Sequence, residues 1–168
     1  MTLQLVCHPE TPAAAVTGVS VTLTPGRLDY AVAGADSLRV PKAARPRRTD
    51  GLWKTTCFEM FVKPHGGEAY LEFNFSPSTQ WAAYAFDGYR RGMRDLPLGA
   101  IPLIARTGDR WTITPPPLDA LRRARTIALS AVIEETDGTV SYWALRHPPG
   151  KPDFHHPDCF ALQLPEAT

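Results

Sequence analysis

Glu59 and Glu72 are the residues whose setting most suggests chemistry. Each carboxylate sits inside an apolar, aromatic run, Cys57-Phe58-Glu59-Met60-Phe61 and Tyr70-Leu71-Glu72-Phe73-Asn74. A carboxylate accepts hydrogen bonds from ligand hydroxyls or pairs with a cation. Two on neighbouring strands could also serve as the acid and base of glycoside hydrolysis. Asn74 adds a donor and an acceptor beside them, and Trp53 and Tyr84 add flat aromatic faces. Arg146 offers a planar fork of donors, and His147 a ring with a donor and an acceptor. A Cys57–His147 pair is a second catalytic possibility, as nucleophile and base. Neither catalytic scheme has a local motif. Trp53, Glu59, Glu72, Asn74, Tyr84, Arg146 and His147 are therefore expected to bind a ligand, with no catalytic residue assigned.

Strand periodicity must bring these residues together. Side chains alternate between the two faces of a strand. In Thr55–Val62, Phe58, Met60 and Val62 share one face, and Cys57, Glu59 and Phe61 the other. In Tyr70–Ser76, Leu71, Phe73 and Phe75 oppose Tyr70, Glu72, Asn74 and Ser76. In Arg125–Glu134 the apolar set is Ile127, Leu129, Ala131 and Ile133, with Ser130 and Glu134 opposite. In Thr139–Arg146, Trp143 and Leu145 oppose Tyr142, Ala144 and Arg146. One set of faces predicts a core. The other mixes carboxylates, an amide and hydroxyls with Tyr, Phe and Cys, which suits a partly enclosed pocket better than a solvated sheet face.

Turn signals set the remaining elements. Leu3–Cys7, Val16–Thr24 and Arg27–Ala33 read as strands, the last two joined at Pro25-Gly26. His65-Gly66-Gly67 separates the two Glu-bearing strands, and Trp81–Phe86 follows Pro77. Residues 87–102 read as a long loop. Leu103–Thr107 and Arg110–Thr114 form a hairpin about Gly108-Asp109, and Asp137-Gly138 is the strongest turn signal of all. Pro115–Arg123 has room for one short helix, and Cys159–Leu164 for a last strand. About ten strands at this spacing predict an all-β, antiparallel β-sandwich of immunoglobulin-like or jelly-roll type, with at most one short helix. Residues 1–168 read as a single domain.

Composition excludes several classes. A net charge of +1 lacks the basic field of a nucleic-acid binder, although 14 of the 18 basic residues are Arg. No apolar run approaches a membrane span. Three cysteines, Cys7, Cys57 and Cys159, without CxxC spacing are neither a disulfide framework nor a zinc site. The expectation is a cytoplasmic protein whose partner is a small molecule.

Trp53-Lys54-Thr55-Thr56-Cys57-Phe58-Glu59-Met60-Phe61, followed by Tyr70-Leu71-Glu72-Phe73-Asn74-Phe75-Ser76-Pro77, resembles the signature of DOMON-like domains. These are related to the family 9 carbohydrate-binding modules. The match spans Asp50 to about Arg94. The resemblance implies a β-sandwich that binds sugars or haem, often without catalysis, and puts Trp53, Glu59, Glu72 and Asn74 on or near the binding face. Sugar-binding relatives often carry an acidic residue between the Trp and the Cys. Here Lys54, Thr55 and Thr56 fill that gap, which is a departure for sugar and calcium binding alike.

The segment from His147 to Asp158 is polar and proline-rich. His147 and Lys151 suit a pocket rim, and His147, His155, His156, Asp153 and Asp158 are potential metal donors, though adjacent His residues point apart. Arg90, Arg91 and Arg94 could face an anionic ligand. Haem would need an axial residue such as Met93 with His147. Trp111 and Trp143 read as core. The combined expectation is a non-catalytic module for a sugar or sugar-containing metabolite, without a cofactor. An enzyme using Glu59 and Glu72, and a haem-binding domain, are the alternatives.

Overall fold

The computed structural model describes residues 1–64 and 66–164, with Arg122 described by its backbone alone. The turn expected at His65 thus lies partly outside the described residues. The described residues hold twelve strands: β1 (Thr2–Cys7), β2 (Gly18–Thr24), β3 (Arg27–Ala33), β4 (Cys57–Pro64), β5 (Tyr70–Phe75), β6 (Trp81–Phe86), β7 (Arg94–Asp95), β8 (Leu103–Thr107), β9 (Arg110–Thr114), β10 (Ala124–Glu134), β11 (Val140–Ala144) and β12 (Leu162–Gln163). They also hold one α-helix, α1 (Asp119–Arg122), a single turn. No helix among the described residues is long and apolar enough to cross a membrane.

The strands follow one antiparallel path, β7-β6-β5-β4-β10-β11-β1-β2-β3-β9-β8, with β12 added beside β10. β1 is the corner. Its Thr2–Leu5 stretch pairs with β2, and Val6 and Cys7 pair with β11. The sheet curls there into a half-barrel. Turn chemistry fixes the hairpins. At Pro25-Gly26 the fixed φ of proline precedes a glycine at φ 72°, the order a type II turn requires. At the β10–β11 connection Gly138 takes φ 92°, and the Asp137 carboxylate accepts from the Thr139 N–H at 2.8 Å.

The curl lays the β2–β3–β9 half over the β4–β5–β10 half. Val21, Tyr30, Trp111 and Ile113 from one meet Phe58, Met60, Phe73 and Leu129 from the other, all buried. The Phe58 ring lies 4.6 Å from Tyr30 and 5.2 Å from Trp111. The Tyr30 hydroxyl donates across the core to the Glu59 carbonyl at 2.9 Å. The expected core faces of β4, β5 and β10 are those observed, and Trp111 and Trp143 are buried as expected. The expected 87–102 loop contains the two-residue strand β7, and only Leu162–Gln163 of the expected last strand pairs.

Candidate functional site

The outer face of β4, β5, β6 and β10 is not solvated. Cys57, Phe61, Tyr70, Tyr84, Phe86, Ala128 and Val132 form a second buried cluster there. The chain following β11 covers it, with Phe154 and Cys159 buried against it. Phe61 stands 5.1 Å from His155 and 6.3 Å from Phe160, and Tyr70 stacks on Phe86 at 4.7 Å. The cover leaves a cleft of about 350 Å³, whose lining includes Trp53, Glu59, Glu72, Arg90, Tyr142 and His155.

Strand register builds the floor. Glu59 on β4 lies opposite Asn74 on β5 and Ser130 on β10, and Glu72 lies opposite Phe61 and Tyr84. Glu59 and Glu72 are thus diagonal neighbours on one face. Both are buried, at 2% and 4% exposure. Asn74 donates its amide to Glu72 Oε1 at 2.8 Å, which turns its own Oδ1 away. Glu59 Oε1, Asn74 Oδ1 and Ser130 Oγ are buried with no hydrogen-bond partner among the described residues. Buried polar atoms are nearly always paired, so three orphans around one floor are unusual.

Burial governs the electrostatics. Loss of water raises the Glu59 carboxyl well above the usual carboxylate range, and the neighbouring Glu72 charge adds to that. Burial also raises Glu72, to about 7, against the lowering effects of the Asn74 hydrogen bond and the Arg90 charge. His155 is pushed down to about 4, chiefly by burial and then by Arg90. It is therefore a neutral ring at neutral pH. Its Nδ1 shares a hydrogen bond with the Tyr70 hydroxyl at 2.8 Å, and its Nε2 stands 3.8 Å from Glu72 Oε2.

Two loops form the rim, and Asp153 ties them. Its carboxylate accepts from Arg90 Nη2 at 2.7 Å, from the Tyr89 hydroxyl, and from the His155 N–H at 3.1 Å. Arg90 takes φ 52°, a left-handed backbone that is costly outside glycine, and its N–H reaches the Tyr70 hydroxyl at 3.2 Å.

Of the residues expected to bind a ligand, Trp53, Glu59 and Glu72 line the cleft. Trp53 is 39% exposed and meets Tyr84 edge-on at 6.2 Å. Asn74 is buried beneath, holding Glu72. Tyr84 lies behind the wall. Its hydroxyl donates to Asp50 at 2.6 Å and Arg48 covers its ring at 5.3 Å. Arg146 and His147 lie outside. β11 ends at Ala144, with one further backbone bond from the Leu145 N–H to the Leu129 carbonyl at 3.2 Å. Arg146 is exposed. His147 Nε2 instead bonds the Val6 carbonyl of β1 at 2.8 Å, beside His8.

The Cys57–His147 pair is not formed: the Cys57 thiol is buried against its own strand and shifted far up by burial. Met93 lines the cleft without His147. No three His, Cys, Asp or Glu side chains among the described residues are grouped to hold a metal ion. Arg90, Asp153 and His155 take the place expected of Arg146, His147 and Lys151. The sequence signal was the dense, proline-stiffened segment itself. A second cavity, of about 770 Å³, opens between the Pro25-Gly26 turn and Pro115–Pro117. Its lining is mostly apolar, with Arg27, Thr24 and Thr114 among it, and contains none of the orphaned polar atoms.

The fold is similar to that of a Bacteroides uniformis ATCC 8492 protein, known from a crystal structure and provisionally described as carbohydrate-binding. The two share 16% identity over 95% of this chain and 84% of that one, with a TM-score of 0.69. At that identity the likeness shows the fold alone. No family model matches the chain. No curated protein matches it either.

Proposed function

We propose that this protein is a non-catalytic binding domain for a sugar or sugar-containing metabolite, held in the cleft above Glu59 and Glu72. The observation that carries the reading is the buried Glu59 carboxyl, whose Oε1 has no hydrogen-bond partner among the described residues, lining an aromatic-walled cleft. Apolar walls with a few orienting polar groups are what small-molecule sites use, and the volume falls at the small end of roughly 300–1,000 Å³. The carboxylates would accept ligand hydroxyls, Asn74 and His155 would position Glu72, and Trp53 would stack on the ring. The resemblance of the Trp53–Phe61 and Tyr70–Pro77 segments to DOMON-like domains supports this reading. So does the curl that lays one half-sheet over the other, as a sandwich of that kind would. Three free cysteines support a cytoplasmic setting.

A thermal-shift screen with neutral, amino and nucleotide sugars tests the proposal. A ligand at about 100 times its Kd stabilises by about 2.7 kcal/mol, or roughly 5–11 °C for a domain this size. Trp53→Ala should abolish the shift. No stabilisation by any of these sugars refutes the sugar reading. One observation favours a second reading. Glu72, raised to about 7, is tuned as a general acid would be. That reading requires turnover of an aryl glycoside, abolished by Glu72→Gln.

A further inference from the structure

Once ionised, the floor carboxyls of the cleft have no paired counter-charge among the described residues. Arg90 is matched by Asp153 at 2.7 Å. Glu59 and Glu72 remain, and among the described residues no Lys or Arg is paired with either. Only the His155 ring approaches Glu72, at 3.8 Å. Of the three unsatisfied floor atoms, ionised Glu59 Oε1 and Asn74 Oδ1 only accept, while the Ser130 hydroxyl can donate to one partner, so a ligand that completes the floor must bring at least one donor. Above them the walls are aromatic, with Trp53, Phe86, Tyr142 and Phe154 along the lining. Carboxylates beneath aromatic faces favour a cation, which the ring faces attract as well.

We propose that the ligand carries an ammonium group, which seats over Glu59 and Glu72 while its body packs against the aromatic walls. An amino sugar is the class that meets both demands. This deepens the sugar-binding reading and rests on it. The ammonium supplies the counter-charge that the fold itself does not, and its N–H donors fill the orphaned acceptors.

The groups facing the two carboxyls are Asn74 and Tyr70 on β5, Ser130 on β10, Tyr84 on β6, Cys57 on β4, Arg90 from the β6–β7 loop, and His155 and Asp153 from the cover. Arg90 and His155 are the only potential cations among them. The first is neutralised by Asp153, and the second is held neutral by burial. Binding of an ammonium therefore requires the carboxyls to lose their protons. Affinity should rise from pH 5 to pH 7, a range in which an amine stays protonated.

Isothermal titration with glucosamine, glucose and N-acetylglucosamine, at pH 5, 6 and 7, decides the matter. The expected result at pH 7 is glucosamine at least tenfold tighter than glucose, with N-acetylglucosamine no better than glucose. Glucosamine affinity should fall at least tenfold at pH 5, while that of glucose should not. Glu59→Gln, with Glu72→Gln as a second isosteric variant, should erase the preference for glucosamine over glucose. Glucose binding as tightly as glucosamine, or a preference that survives both variants, overturns the ammonium inference and leaves the sugar reading standing. Binding of none of the three overturns both.

Discussion

Glu72→Gln should stabilise the ligand-free protein at pH 8 and leave it nearly unchanged at pH 4. The folded chain holds the Glu72 proton up to about pH 7, whereas the unfolded chain releases it near the ordinary 4.5. The folded state therefore binds more protons between those values, and stability is lost as pH rises through that window. The difference corresponds to roughly 3 kcal/mol. Glutamine keeps the shape of the side chain, and its amide oxygen still accepts the Asn74 hydrogen bond now made at 2.8 Å. The variant removes the titration without leaving a cavity. Urea denaturation from pH 4 to pH 8 measures it, provided the m-value is unchanged. Across this range the variant should gain stability relative to wild type, by an amount equivalent to roughly 3 kcal/mol at pH 8. The slope common to both proteins combines Glu59, whose carboxyl is shifted in the same direction, with His155, whose lowered ring adds stability as pH rises from about 4 to 6.5. A variant less stable than wild type at pH 8, or one with the wild-type pH slope, would refute the reasoning.

Asp153→Ala should free the cleft rim without unfolding the sheet. It removes the acceptor shared by Arg90, Tyr89 and the His155 N–H. Its cost should be about 1–2 kcal/mol, with faster proteolysis between residues 146 and 161 and weaker ligand binding. Glu135→Ala should cost more, about 3 kcal/mol or above, and leave binding at the cleft intact. Its buried carboxylate accepts the N–H groups of Ala14, Ala15 and Val16 at 2.7–3.3 Å, so three donors, the Val16 N–H buried among them, would lose their partner. Tyr30→Phe should cost about 1 kcal/mol by thermal denaturation, because it deletes the hydrogen bond to the Glu59 carbonyl without opening a cavity.

The strands were legible because period-two alternation and turn chemistry agree. Arg27–Ala33, Trp81–Phe86, Leu103–Thr107 and Arg110–Thr114 match the expected bounds residue for residue. The inner and outer faces of β4 and β5 were legible for the same reason, and with them the Glu59, Glu72 and Asn74 floor. The rim was not. Arg90 and His155 reach the cleft through loops whose course depends on Asp153, and no periodicity encodes that contact. Arg146 falls off the cleft because the alternation was carried two residues past the strand, which ends at Ala144. His147 followed it out, drawn by the Val6 carbonyl. The single curled path through β1 depends on that strand dividing its pairing between β2 and β11, which no local pattern marks.

The central claim is that ligand binds over Glu59 and Glu72. Carbon-13 NMR of the side-chain carboxyl groups tests it most directly, as glucosamine is titrated in at pH 7. The Glu59 and Glu72 carboxyl signals should move together with the Trp53 indole N–H, while Glu135 stays fixed. Glu59 and Glu72 signals that stay fixed at saturation, with shifts appearing instead around Pro115–Leu118, would contradict it.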